Sequence, residues 1–216
     1  TDGHLLYAHH DDAAWTTETV DDAAGDTGLY TSLALNAAGR PRISYCRRVS
    51  ILFPRPHIVT YLQFAAYESA GDGGAGWQLH TIEAVGEDGG HTSLALDADG
   101  RPHISYYEAA TGALKIATLD RSTWISETVD GHRVDVGQYT SLALDGSDAA
   151  HISYVDVANH DLKYARWYRG DWQIDTVDSE RYVDGATSLA LDADGHPHIA
   201  YHDARNGALC YAAGDG

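Results

Sequence analysis

Along most of this chain apolar and polar residues alternate one for one in short runs, and glycine, proline, asparagine or aspartate interrupts each run. In Ser93-Leu94-Ala95-Leu96 both leucines fall on one side of an extended backbone, with Ser93 and Ala95 on the other. In His103-Ile104-Ser105-Tyr106 the bulky side carries Ile104 and Tyr106, and the other His103 and Ser105. A period of two predicts β-strands, here with one bulky and one small face. Between the two runs lies Asp97-Ala98-Asp99-Gly100, repeated at 192–195, a turn sequence that joins them as a hairpin.

The runs recur. Thr-Ser-Leu-Ala-Leu begins at Thr31, Thr92, Thr140 and Thr187, at intervals of 61, 48 and 47 residues, so the first interval carries an insertion. A second phrase follows each copy: GRPRISY at 39–45, GRPHISY at 100–106, AAHISY at 149–154 and GHPHIAY at 195–201. A third follows at 62–67, 114–118, 162–166 and 209–213, and a fourth is led by Trp77, Trp124 or Trp172. The N-terminal HLLYA at 4–8 and WTTETVD from Trp15 are further copies of the third and fourth, so the chain opens and closes inside a repeat. Four strands in a period of 40 to 50 residues describe a propeller blade. The phrases supply four first, four second, five third and four fourth strands. The expectation is therefore an all-β, single-domain β-propeller over residues 1–216. It has four four-stranded antiparallel blades beginning near 31, 92, 140 and 187. The strand from Trp15 closes the ring by pairing with the C-terminal blade. Five blades is the alternative if the insertion hides strands.

The stretches TSLALDADGRPHISYY and GALKIATLDRSTWISETVD resemble the β-propeller repeats of bacterial secreted and surface proteins, over almost the whole chain. In blade number alone the expectation is similar to hemopexin-like domains. That resemblance implies partner binding and an ion, calcium or sodium, in a central channel. Sialidase-like propellers carry Ser-x-Asp-x-Gly-x-Thr-Trp turns, which this sequence lacks.

Composition narrows the partners. Against 32 acidic residues stand 14 Lys and Arg, a formal charge of −18 that repels phosphate backbones and argues against nucleic acid. The same surface favours cations, or serves solubility. No run is apolar enough for membrane insertion. The chain begins at Thr1 and contains no Met, which suggests a removed signal peptide or a trimmed chain, and with it an extracellular or cell-surface protein. Cys46 and Cys210 have no metal-ligand spacing; a disulfide and two free thiols are both open.

Residues shared by all repeats build the blade, and residues that break the pattern are candidates for function. The loops joining fourth to first strands and second to third strands lie on one face, here called the top. The residue before each Thr-Ser-Leu-Ala-Leu is Tyr30, His91, Tyr139 or Ala186, and these four are expected to ring the channel mouth. Tyr107, His202, Asp203, Arg47 and Arg48 follow second strands onto the same face. With Tyr30, His91 and Tyr139 they form the candidate ligand site, rich in tyrosine for stacking on sugar rings. His91 and His202 break the repeat and are the candidates for a transition metal or for acid–base chemistry. His103, His151 and His198 recur at one blade position and are expected to hydrogen-bond the neighbouring hairpin. The insertion at 46–61 carries Arg47, Arg48, Arg55 and His57 around Phe53 and Pro54. It reads as a lid or wall over the top, or as an extra β-hairpin. The linkers at 21–26, 83–90 and 178–185 are acidic, a second argument for a cation in the channel. No motif for a nucleophile, a phosphate loop or a dinucleotide is present. A secreted module binding a glycan or another small polar ligand is the first reading. An enzyme of metal-dependent, lyase or hydrolase type, with one site under the insertion, is the second. An interaction domain cut from a longer chain is the third.

Overall fold

Short alternating runs broken by turn residues fold locally into antiparallel hairpins, and every sheet of the protein is built this way. The computed structural model describes residues 3–69, 75–131 and 134–214. β1 (Leu5–His10) and β2 (Trp15–Asp21) form a two-stranded sheet. Three four-stranded sheets follow. The first contains β3 (Asp26–Leu35), β4 (Pro41–Ile51), β5 (His57–Ser69) and β6 (Ala75–Gly86). The second contains β7 (Gly90–Leu96), β8 (Pro102–Glu108), β9 (Ala113–Asp120) and β10 (Thr123–Asp130). The third contains β11 (Val136–Leu144), β12 (Ala150–Asp156), β13 (Asp161–Tyr168) and β14 (Asp171–Asp178). A three-stranded sheet of β15 (Ser188–Leu191), β16 (Pro197–Asp203) and β17 (Ala208–Ala213) ends the series. Neighbours in each sheet are consecutive in sequence and antiparallel. No described residue is helical, so no helix is long and apolar enough to cross a membrane.

The turn between first and second strands is set by one side chain. Asp97 Oδ1 accepts the amides of Asp99 at 3.0 Å and Arg101 at 2.8 Å, and Asn36, Asp145 and Asp192 hold their hairpins the same way.

Successive sheets stack bulky face on small face, and four apolar clusters fill the four interfaces between five sheets. In one, Leu94, Ile104 and Tyr106 of the second four-stranded sheet pack on Cys46, Phe64 and Ala66 of the first. Tight filling of this kind needs the small face as much as the bulky one. Buried hydroxyls of the inner strands are paired across these interfaces. Ser44 and Thr92, Thr140 and Ser105, and Ser153 and Thr187 bond at 2.7–2.8 Å. The Ser hydroxyl of one inner strand accepts a Leu amide of the next, Ser32 from Leu94, Ser93 from Leu142 and Ser141 from Leu189, at 3.0–3.1 Å.

A second set of cross-links explains two recurring residues that no site argument needs. The buried Tyr of each second strand donates to an acid at or near the end of the fourth strand of the preceding sheet. Tyr45 reaches Asp21 at 2.7 Å, Tyr154 reaches Asp130 at 2.6 Å, Tyr201 reaches Asp178 at 2.6 Å, and Tyr106 reaches Glu83. The Trp that leads a fourth strand packs backwards as well, Trp77 on Tyr7 at 5.6 Å and Trp124 on Phe64 at 5.2 Å between ring centroids. Among the described residues no fourth strand pairs with β17, and a groove of ≈ 300 Å³ lies there between Tyr164, Pro197, Ile199 and Ala212.

The ring closure expected from the strand count is not made. β2 pairs with β1, from Leu6↔Thr19 to His10↔Trp15, and does not join the sheet of β17. Locality accounts for this. The Asp11 carboxylate caps the intervening turn by accepting the amides of Ala13 and Ala14, both at 2.9 Å, and so short a loop costs little closure entropy. The series is three complete four-stranded sheets flanked by a two-stranded and a three-stranded one. Cys46 and Cys210 are both free and lie in different clusters. Burial pushes the Cys46 thiol up to about 12.

Candidate functional site

The insertion lengthens β4 and β5 into a hairpin arm, paired from Arg47↔Tyr61 to Ile51↔His57, so the extra-hairpin reading describes its backbone. Its tip is open, with Phe53 87% exposed. Arg47 and Arg48 fasten the arm to the top linkers. Arg47 Nη2 donates to Ala24 O at 2.7 Å, and Arg48 Nη2 reaches Asp88 Oδ1 at 2.9 Å.

Three of the predicted top-face residues come together. Tyr30, His91 and Tyr139 all adopt left-handed backbone, with φ of 54°, 53° and 55°, and each sits at a register shift of its inner strand. That conformation turns the side chain out of the strand's alternation and aims it along the top. The His91 ring lies 4.4 Å from the Tyr30 centroid and 4.6 Å from that of Tyr139, forming a continuous aromatic row. Gly90 makes the row possible, because a Cβ there would lie 2.4 Å from the Tyr30 ring. Tyr107 backs the row, edge-on to His91 at 6.5 Å, with its hydroxyl donating to Asp135 at 2.6 Å. Burial among the rings pushes His91 down to about 4, so its imidazole is neutral at neutral pH. Burial, then the neighbouring Asp184, pushes Tyr139 up. His202 is exposed and its Nδ1 lies 2.9 Å from the Asp184 carbonyl oxygen. Asp203 is not an open ligand: it is buried and caps its own loop, accepting from Asn206 Nδ2 at 2.7 Å.

At the opposite end of the sheets lie clefts between successive hairpins. The one between β11–β14 and β15–β17 has a volume of ≈ 800 Å³. Trp167 and Tyr168, 37% and 43% exposed, form one wall; His151, Asp145 and Asp148 line another part, and Asp194 and His196 the far rim. The β13–β14 turn presents this wall. Arg169 and Gly170, with φ of 56° and 90°, make a two-residue turn of the kind that matches strand twist. The guanidinium carbons of Arg166 and Arg169 lie 5.3 and 4.9 Å from the Tyr168 centroid, and Trp172 braces Trp167 edge-on at 5.4 Å. A rigid aromatic wall facing hydrogen-bonding groups can take a ligand with one apolar face and several hydroxyls. Sequence reasoning looked for pattern breaks only on the top face and missed this one. The signal was present: Trp167 and Tyr168 stand where the preceding repeat has Leu119 and Asp120. His103 and His151 hydrogen-bond not a neighbouring hairpin but the turn of their own, through Asp97 and Asp145 at 3.4 Å.

No family model and no curated protein matches the chain. Solved structures are similar to it in fold. A protein of unknown function from Dyadobacter fermentans aligns at 12% identity and a TM-score of 0.60, over 92% of this chain and 64% of that one. The NanB sialidase of Streptococcus pneumoniae aligns at 16% and 0.56, over 92% and 32%. Ulvan lyase, a polysaccharide lyase, aligns at 13% and 0.54, over 86% and 55%. The chain therefore spans between about a third and two thirds of the length of these proteins. At such identities the likeness is one of fold, a β-propeller-like all-β architecture, and it carries no residue assignment.

Proposed function

We propose that this protein is an extracellular glycan-binding propeller whose ligand lies in the cleft walled by Trp167 and Tyr168. The observation that carries the reading is the cleft itself. Its ≈ 800 Å³ falls within the roughly 300–1,000 Å³ of small-ligand sites, and it pairs an aromatic wall with polar groups. A pyranose offers C–H bonds on one ring face for the aromatic wall and hydroxyls for Asp148 and Arg169. The sialidase and the lyase, both acting on saccharides, lend the reading support from architecture alone. The site lies at the opposite end of the sheets from the top face that pattern breaks in the sequence favoured.

The test is saccharide titration followed by Trp fluorescence, with neutral, uronate-containing, sialylated and sulfated oligosaccharides. Saturable binding lost in Trp167→Ala and kept in Tyr30→Ala supports the cleft. No saturable change with any saccharide at millimolar concentration overturns glycan binding.

One observation favours a second reading, an enzyme with its site on the top face. His91 is an uncharged imidazole held between two tyrosine rings, and a neutral imidazole fixed in this way can hydrogen-bond and polarise a substrate group. Turnover of a glycan by the protein, abolished in His91→Ala with the fold intact, would move the function to that face.

A further inference from the structure

The hairpins Asp97-Ala98-Asp99-Gly100-Arg101-Pro102-His103 and Asp192-Ala193-Asp194-Gly195-His196-Pro197-His198 differ at a single position, Arg101 against His196. Their backbones are built alike. Asp97 N donates to Arg101 O at 3.1 Å and Asp192 N to His196 O at 3.0 Å; Gly100 N reaches Asp97 O at 2.9 Å and Gly195 N reaches Asp192 O at 3.1 Å. The Oδ1 of each leading Asp accepts the same two turn amides. The one difference therefore changes chemistry on an unchanged scaffold.

In the first hairpin a permanent cation neutralises the acids. Arg101 Nε lies 2.7 Å from Asp97 Oδ2, and its Nη2 lies 3.4 Å from Asp99 Oδ2. A guanidinium has no lone pair and ligates no metal. In the second hairpin an imidazole replaces it, which is a metal ligand in its neutral form. One ligand atom each from Asp192, Asp194 and His196 lie within 4.8 Å of one another, and among the described residues this is the group of three or more such side chains so placed. A fourth donor faces the same oxygen. His196 Nδ1 is 3.1 Å and His198 Nε2 is 3.7 Å from Asp192 Oδ2. A tetrahedral site with bonds of about 2.0–2.2 Å separates its ligand atoms by about 3.3–3.6 Å; the His196–Asp192 and His198–Asp192 distances lie on either side of that range, while the mutually close ligand atoms are those of Asp192, Asp194 and His196. His198 is oriented from behind, since its Nδ1 is bonded to the Tyr211 hydroxyl, the outer-shell contact that fixes a ligating imidazole.

We propose that the β15–β16 turn is a divalent transition-metal site of zinc type, with Asp192, Asp194 and His196 as its ligands and His198, beside Asp192, as the donor that turns in to complete it. Two imidazoles and two carboxylates form a donor set of borderline hardness, which suits Zn²⁺ or Co²⁺ over Ca²⁺ or Mg²⁺. The assignment does not rest on glycan binding, and Asp194 and His196 also rim the cleft that holds Trp167.

The repeat supplies its own controls. His196→Arg gives the second hairpin the sequence of the first, which folds with Arg at that position, and Arg101→His is the reciprocal change. The untagged full chain is titrated with Zn²⁺ by calorimetry and with Co²⁺ by visible absorption, and far-UV circular dichroism checks each fold. The wild type is expected to bind one equivalent of Zn²⁺, with an intense tetrahedral Co²⁺ band. His196→Arg should weaken Zn²⁺ binding at least tenfold and abolish that band, while Arg101→His should add a second equivalent. Zn²⁺ affinity within threefold of wild type in His196→Arg overturns the assignment. A stoichiometry unchanged in Arg101→His overturns the claim that these four positions make the site.

Discussion

Replacing Tyr201 by Phe removes one hydroxyl from the last of the four Tyr–acid cross-links. The ring is 4% exposed, and its hydroxyl donates to Asp178 Oδ2 at 2.6 Å. Arg181 Nη1 donates to the same oxygen at 2.7 Å, and the amides of Glu180 and Arg181 cap Oδ1 at 3.0 and 3.2 Å. Burial opposes the charge on Asp178, but the bonds from Tyr201 and Arg181 outweigh it and hold the carboxyl at about 2, against an ordinary 3.8. A hydrogen bond to a charged group contributes about 1.5–3 kcal/mol. Arg181 remains in the variant, so the loss at neutral pH is about 2 kcal/mol. The sign with pH follows from the depressed carboxyl. Its stabilisation is complete above about 3.8 and disappears as pH falls through about 2, so the variant and the wild type converge on acidification. Urea unfolding at neutral pH and near pH 2 measures the difference. A destabilisation below about 0.5 kcal/mol at neutral pH, or one of equal size at both pH values, would refute the cross-link as a source of stability.

Gly90→Ala should destabilise by roughly 3 kcal/mol or more, since its Cβ would meet the Tyr30 ring at 2.4 Å with φ at +143°; a melting temperature unchanged from wild type would contradict the packing of the aromatic row. The His91 imidazole should stay neutral in an NMR titration down to about pH 4. Because its folded value is depressed, the protein should lose stability as pH falls from 6.5 towards 4, and His91→Gln should remove that part of the slope. In Trp167→Ala saccharide affinity should fall at least tenfold with unfolding unaltered, because the ring is partly exposed and lies outside the interface clusters; unchanged affinity would remove the cleft from the proposed function.

The strands and their hairpins were legible in the sequence because both are local. Alternation fixes which face of Ser93–Leu96 is bulky, and Asp97 closes its turn within four residues. Repetition exposed the rest of the architecture, since each Thr-Ser-Leu-Ala-Leu marks an inner strand. The row of Tyr30, His91 and Tyr139 was also readable, because a common position in successive repeats becomes a common place in space. What the sequence left open depends on partners distant along the chain. Whether β2 pairs with β1 or with the last sheet is a competition between a local turn and a long-range contact, and alternation is the same for both. Arg47 and Arg48 have the charge of ligand-binding residues, yet the tertiary structure sets them against Ala24 and Asp88. Asp203 has the chemistry of a ligand, but its oxygens are satisfied by its own loop. Trp167 and Tyr168 become a cleft wall only because the next sheet stands across from them, and that distance is set by how bulky faces fill small ones. The sequence by itself determined the strands, their faces and their order; the stacking of one sheet on the next decided which side chains are spent on structure and which remain free to bind.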